Sequence, residues 1–86
     1  MEKSPNQVQP IRLQAASIKN LPALRFNDSG DAVRVLQRLL LNNRYSVQLD
    51  GYFGALTETA VKAFQSQRNL TADGVVGPRT WRELTN

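Results

Sequence analysis

One eight-residue pattern occurs twice in this chain. Asp50-Gly51-Tyr52-Phe53-Gly54-Ala55-Leu56-Thr57 and Asp73-Gly74-Val75-Val76-Gly77-Pro78-Arg79-Thr80 both read Asp-Gly-x-apolar-Gly-x-x-Thr. A second pair of segments precedes them: Ala32-Val33-Arg34-Val35-Leu36-Gln37 resembles Ala60-Val61-Lys62-Ala63-Phe64-Gln65. Self-similarity of this kind marks a repeated supersecondary unit, here a loop plus a helix of about 25 residues, incomplete at each end. The loop has a mechanical reading. Asp bonds the backbone locally while Gly takes a positive φ. Phe53 or Val76 then points inward, Gly54 or Gly77 sits at a helix N-cap, and the hydroxyl of Thr57 or Thr80 reaches back to the loop.

Hydrophobic periodicity places three helices around these loops, making the chain all-α. The first runs over about 30–42, with Val33, Leu36, Leu39 and Leu40 in one stripe and Asp31, Arg34 and Arg38 on the other face. Asp28-Ser29-Gly30 offers capping residues for it. The second runs over about 55–68, with Leu56, Ala60, Val61 and Phe64 on one side. The third covers about 78–85, with Pro78 in the first turn, where its missing N–H costs nothing. Trp81 and Leu84 form its apolar face. Residues 44–53 read as a loop or short strand. Residues 1–23, with prolines at 5, 10 and 22, read as a linker or loosely packed tail. The domain proper is expected over 24–86. Phe53, Phe64, Trp81, Leu36 and Leu40 are assigned to its core, and Trp81 becomes a sugar-stacking candidate if partly exposed.

Composition narrows the chemistry. The 86 residues contain neither cysteine nor histidine. No disulfide or thiolate nucleophile is available, and most zinc sites and nucleophilic triads are excluded. Carboxylate chemistry stays open, but repeat-equivalent Asp50 and Asp73 are poorly suited to face one glycosidase cleft. Neither loop carries the alternating oxygen ligands of a calcium site. The expectation is a chain with no catalytic residues, no metal and no cofactor. The net charge of +4 is spread thinly along the chain, without the basic stripe of a nucleic-acid footprint. No stretch approaches the ~20 apolar residues of a membrane span, and Met1–Pro10 has no apolar run of the signal-peptide kind.

From Leu24 to Leu84 the chain reads L-x-x-N-x-x-G-x-x-V-x-x-LQ, then DG-x-FG-x-x-T-x-x-AV-x-x-FQ, then L-x-x-DG-x-VG-x-x-TW-x-x-L. Two such loops, two helices carrying Leu-Gln or Phe-Gln, and the Thr-Trp-x-x-Leu ending together resemble the peptidoglycan-binding domain 1 family. The resemblance implies a compact three-helix orthogonal bundle. It implies a module of the bacterial envelope, periplasmic or extracellular, that binds cell-wall peptidoglycan through its glycan or stem peptide and brings a cell-wall hydrolase to it. Similar domains form the propeptide of matrix metalloproteinases, a use that needs the cysteine this chain lacks. Asn27, Asn43 and Asn69 stand where the family usually has glycine, at turns expected to be left-handed.

Within that reading, Tyr52 is the first candidate ligand contact, since an exposed aromatic can stack on a sugar face. Tyr45 and Arg44 share its loop, and Arg44 can pair with a peptide carboxylate. Asp50 and Asp73 are read first as turn formers, with Asp50 kept as a candidate contact. Gln37 and Gln65 are read as partners for loop backbone groups, with a groove-lining role as the alternative for both and Gln65 kept as a candidate contact. The expected assembly state is a monomer. The rival function is a protein–protein interaction domain that keeps the fold without binding the wall.

Overall fold

The computed structural model describes residues 21–86; the expected tail or linker falls almost wholly outside them. Three helices follow in order: α1 (Asp31–Asn42), α2 (Ala55–Gln67) and α3 (Pro78–Leu84). The described residues contain no strand, only two isolated antiparallel bridges, Leu24 with Val76 and Ser29 with Tyr52. The expected all-α, three-helix class is what the chain adopts.

The helices form because each buries one stripe. From α1 these are Val33, Leu36, Leu39 and Leu40; from α2, Ala60, Val61 and Phe64; from α3, Trp81 and Leu84. Phe53 and Val76, the apolar residues of the two loops, are fully buried as expected, and Leu24 closes the core. Each large side chain removed from water contributes roughly 1.5–3 kcal/mol. Trp81 is 1% exposed, which rules out sugar stacking. Its indole N–H instead donates to the Pro22 carbonyl at 3.0 Å.

Leu56 departs from expectation, being 55% exposed. Successive residues turn by about 100° around a helix. The inward direction in the first turn of α2 is taken by Thr57, in line with Ala60, Val61 and Phe64, and Leu56 is left at the edge of the stripe. The start of α1 also differs. Gly30 is the N-cap and no side chain caps the helix. Asp28 instead closes the preceding turn, accepting the Arg25 backbone N–H at 2.9 Å. Gly30 has φ +120 with open space around it, so conformation rather than crowding calls for glycine there.

Helices α1 and α2 end alike. Tyr45 N–H bonds the Leu40 carbonyl and Arg44 N–H the Leu41 carbonyl; Leu70 N–H bonds the Gln65 carbonyl and Asn69 N–H the Ser66 carbonyl. Both are Schellman closures, which require a left-handed residue just past the cap. Asn69 (φ 60) fills that place after α2, and Asn27 (φ 82) is left-handed as expected. After α1 the left-handed residue is Arg44 (φ 72), one position later than expected. Asn43 is the C-cap itself, with φ −95. Its side-chain amide donates to the Leu39 carbonyl at 2.8 Å, a bond that holds it in that role.

A non-glycine residue in left-handed geometry costs about 1–2 kcal/mol. Replacing Arg44 by Gly is therefore expected to stabilise the domain by about 1 kcal/mol. Urea denaturation of the two proteins measures this, and a less stable variant would contradict the strain argument.

Candidate functional site

The two Asp-Gly loops owe their shape to two buried glutamine amides. Gln37 of α1 accepts the Gly51 N–H through Oε1 at 2.9 Å. Its Nε2 faces Asp50 Oδ1 at 3.0 Å, the Tyr52 carbonyl at 3.0 Å and Thr57 Oγ1 at 3.1 Å. Gln65 of α2 does the same one loop later. Its Oε1 accepts the Gly74 N–H at 3.0 Å, and its Nε2 faces Asp73 Oδ1, the Val75 carbonyl and Thr80 Oγ1 at 3.3, 2.9 and 3.1 Å. In each loop the Asp also accepts the backbone N–H two residues on, Tyr52 or Val75, at 2.9 Å. The networks correspond bond for bond, and both glutamines fill the backbone-pairing role read from the sequence. Gly51 and Gly74 have φ +77 and +79, and a Cβ on either would lie 3.1 Å from the side chain of Arg34 or Lys62. Gly54 and Gly77 are the N-caps of α2 and α3.

Each loop and the helix start behind it frame a surface depression. The first, of about 230 Å³, is lined by Asp50, Tyr52, Leu56 and Thr57 among others. The second, of about 270 Å³, is lined by Asp73, Val75, Arg79 and Thr80 with Thr71 and Gln65. Of the residues singled out from the sequence, Tyr52 and Asp50 meet at the first depression, and Gln65 lies at the base of the second. Arg44 and Tyr45 line neither. Tyr45 is half-buried with its ring edge-on to Phe64, centroids 5.9 Å apart, and Arg44 is exposed at the end of α1.

Tyr52 is held firmly while remaining 46% exposed. Its hydroxyl donates to Asn27 Oδ1 at 2.8 Å. Its ring lies so near Gly54 that a Cβ there would stand 2.9 Å from Cε2. Sequence reading found the tyrosine but not its bond to Asn27, because Asn27 lies far away in the chain and nothing local marks the pair. It also missed Arg68. That guanidinium lies 4.7 Å from the Phe64 ring centroid. It also bonds Asn43 Oδ1 at 3.2 Å and pairs with Glu83 at 3.3 Å, tying the ends of all three helices together.

The electrostatics are those of a fixed turn. The Tyr52 backbone N–H, then the Gln37 amide, hold the Asp50 carboxyl below its ordinary 3.8, with a smaller contribution from the Arg34 charge. Among the described residues no cluster of acidic side chains is arranged to hold a metal ion, and no helix is long and apolar enough to cross a membrane.

Two outcomes follow from this geometry. Replacing Gln37 or Gln65 by Leu strands a buried N–H and a carbonyl at roughly 1–3 kcal/mol each, so either variant is expected to lose at least about 2 kcal/mol in urea denaturation. A depressed carboxyl contributes stability that is present above its unfolded pKa and lost as pH falls through the folded one. NMR titration is therefore expected to place Asp50 below 3.8. The Asp50→Asn protein should show a flatter loss of stability on acidification through that range, and an ordinary Asp50 titration would contradict the network.

Residues 29–84 match the family described as "Putative peptidoglycan binding domain". The chain is 48% identical over 77 residues to an uncharacterized protein of Kitasatospora aureofaciens, an alignment covering 87% of this chain and 65% of that one. It is 41% identical over 64 residues to the zinc D-Ala-D-Ala carboxypeptidase of Streptomyces albus G, covering 71% of this chain and 25% of the enzyme. It thus spans less than two thirds of either relative. Among solved structures, a peptidoglycan-binding protein from Clostridioides difficile, crystallised with glutamine hydroxamate, superposes with a TM-score of 0.74 at 38% identity, over 76% of this chain and 41% of that one.

Proposed function

The chain belongs to the peptidoglycan-binding domain family, and on that premise we propose that it is a non-catalytic module that binds bacterial cell wall and brings an associated protein to it. The observation that carries this reading is the pinned, half-exposed Tyr52 ring at the rim of the first depression. An aromatic already fixed in place loses little freedom when a sugar face or an apolar part of a peptide settles on it. Below it, Asp50 offers its second carboxylate oxygen as an acceptor, while Oδ1 is occupied by the turn.

Both loop aspartates are engaged in local hydrogen bonds, the role of turn formers rather than of an acid–base pair. Affinity at one shallow depression is modest, and retention on the wall comes from the many copies of the ligand that a polymer presents. The match to one quarter of a zinc D-Ala-D-Ala carboxypeptidase supports a cell-wall hydrolase as the associated protein and the bacterial envelope as the place of action. Within this reading the module works as a monomer, with Tyr52 and Asp50 as the wall contacts and Gln65 shaping the second loop.

The test is co-sedimentation with purified sacculi. The native chain is expected to pellet with the wall. Tyr52→Ala should weaken retention about tenfold, equivalent to losing an aromatic contact of roughly 1.4 kcal/mol. A folded variant that binds as well as the native chain removes Tyr52 from the site, and a native chain that stays in the supernatant overturns the function.

A further inference from the structure

The two depressions are built to one plan from different side chains. Positions 50, 52, 54, 55, 56 and 57 line the first, and positions 73, 75, 77, 78, 79 and 80 line the second. Both contain the Asp that accepts from its own turn and the buried Thr whose Oγ1 accepts from the glutamine amide. Thr57 and Thr80 are 3% and 5% exposed as whole residues, and among the described residues neither hydroxyl donates its own proton to an acceptor. A buried hydroxyl proton without a partner is costly, and in both places it lies in the lining of an open depression. Each depression thus offers a donor to a ligand oxygen.

The rims differ. Where the first has Tyr52 and Leu56, the second has Val75 and Arg79. Arg79 is exposed, and among the described residues it makes no ion pair. Its planar fork matches a carboxylate with two parallel hydrogen bonds. Asp73 lies in the same lining. It disfavours a bare anion but suits a ligand that carries an N–H beside its carboxylate. That combination is the end of a peptide.

We infer that the depression formed by Thr71, Asp73, Arg79 and Thr80 is a second binding site, taking a short peptide with a free carboxylate. Arg79 and the Thr80 hydroxyl receive the carboxylate, and Asp73 receives a peptide N–H. The inference rests on the wall-binding reading and deepens it. Tyr52 and Leu56 serve the uncharged or apolar parts of the wall, while Arg79 serves the acidic peptide, so one domain holds two parts of the polymer at once.

NMR titration of the 15N-labelled chain tests this with a soluble disaccharide–peptide prepared from purified wall, used with its carboxylates free and again with them converted to amides. The free form is expected to shift the amides of Gly74, Arg79 and Thr80 as well as those around Tyr52. Amidation, or Arg79→Leu, should weaken the response at Gly74 and Thr80 about tenfold and leave the response around Tyr52 in place. Leu already occupies the equivalent position 56, so the variant is compatible with the local fold. Tyr52→Ala should give the reverse pattern. Shifts confined to residues 50–57, or a response at Gly74 and Thr80 indifferent to amidation and to Arg79→Leu, overturn the second site while leaving wall binding intact. A folded chain with no shifts anywhere, and no retention on sacculi, overturns both.

Discussion

The structure turns on one buried amide used to its full capacity, and used twice. A glutamine side chain has one acceptor oxygen and two donor hydrogens. In Gln37 the oxygen takes the Gly51 N–H, and the nitrogen sits among a loop carbonyl, a loop carboxylate and a threonine hydroxyl. A helix, the turn after it and the first turn of the next helix are joined at one point. The amide orientation follows from these partners, since only the oxygen can accept from Gly51. Much else is then determined. The glycine must be left-handed, the aspartate must face its own turn, and the position three after the N-cap glycine must carry a hydroxyl. Gln65 imposes the same requirements on the second loop. Networks of this kind specify one geometry when every member is paired and penalise any other.

Because that scaffold is the same in both loops, the positions it leaves unconstrained carry the differences. Residues 52 and 75, or 56 and 79, do not contribute side chains to the amide network. They project around it, aromatic and aliphatic in one case, aliphatic and cationic in the other. Recognition is written on the rim and folding on the base. The rim of the first loop also has help from outside, since Asn27 fixes the tyrosine hydroxyl.

Much of this was legible in the sequence. The three helices, the inward Phe53 and Val76, the positive φ of Gly51 and Gly74, and the pairing role of Gln37 and Gln65 all follow from periodicity or from residue types with few alternative uses. The misreadings occurred where two positions compete for one place. Leu56 is the more apolar residue, yet Thr57 faces inward because its backbone position aligns with the core stripe and its hydroxyl meets Gln37. Asn43 is better suited than Arg44 to left-handed backbone, yet its amide is engaged by the Leu39 carbonyl and the turn falls one residue later. Arg68 and Asn27 act on partners distant in the chain, which no local pattern encodes. The two depressions were not legible, because the matching loops alone do not say that a concavity lies behind each.

The bonds between Leu24 and Val76, and the indole of Trp81 on the Pro22 carbonyl, join opposite ends of the described chain. On a ribosome this has a temporal meaning. The segment around Leu24 emerges well before Val76, which pairs with its backbone, and before Trp81, whose indole bonds the neighbouring Pro22 carbonyl. Closure over so long a separation is the slow, entropically costly part of assembling a small helical protein. A nascent chain halted before Trp81 lacks both the indole that bonds the Pro22 carbonyl and the apolar side chains with which α3 completes the core.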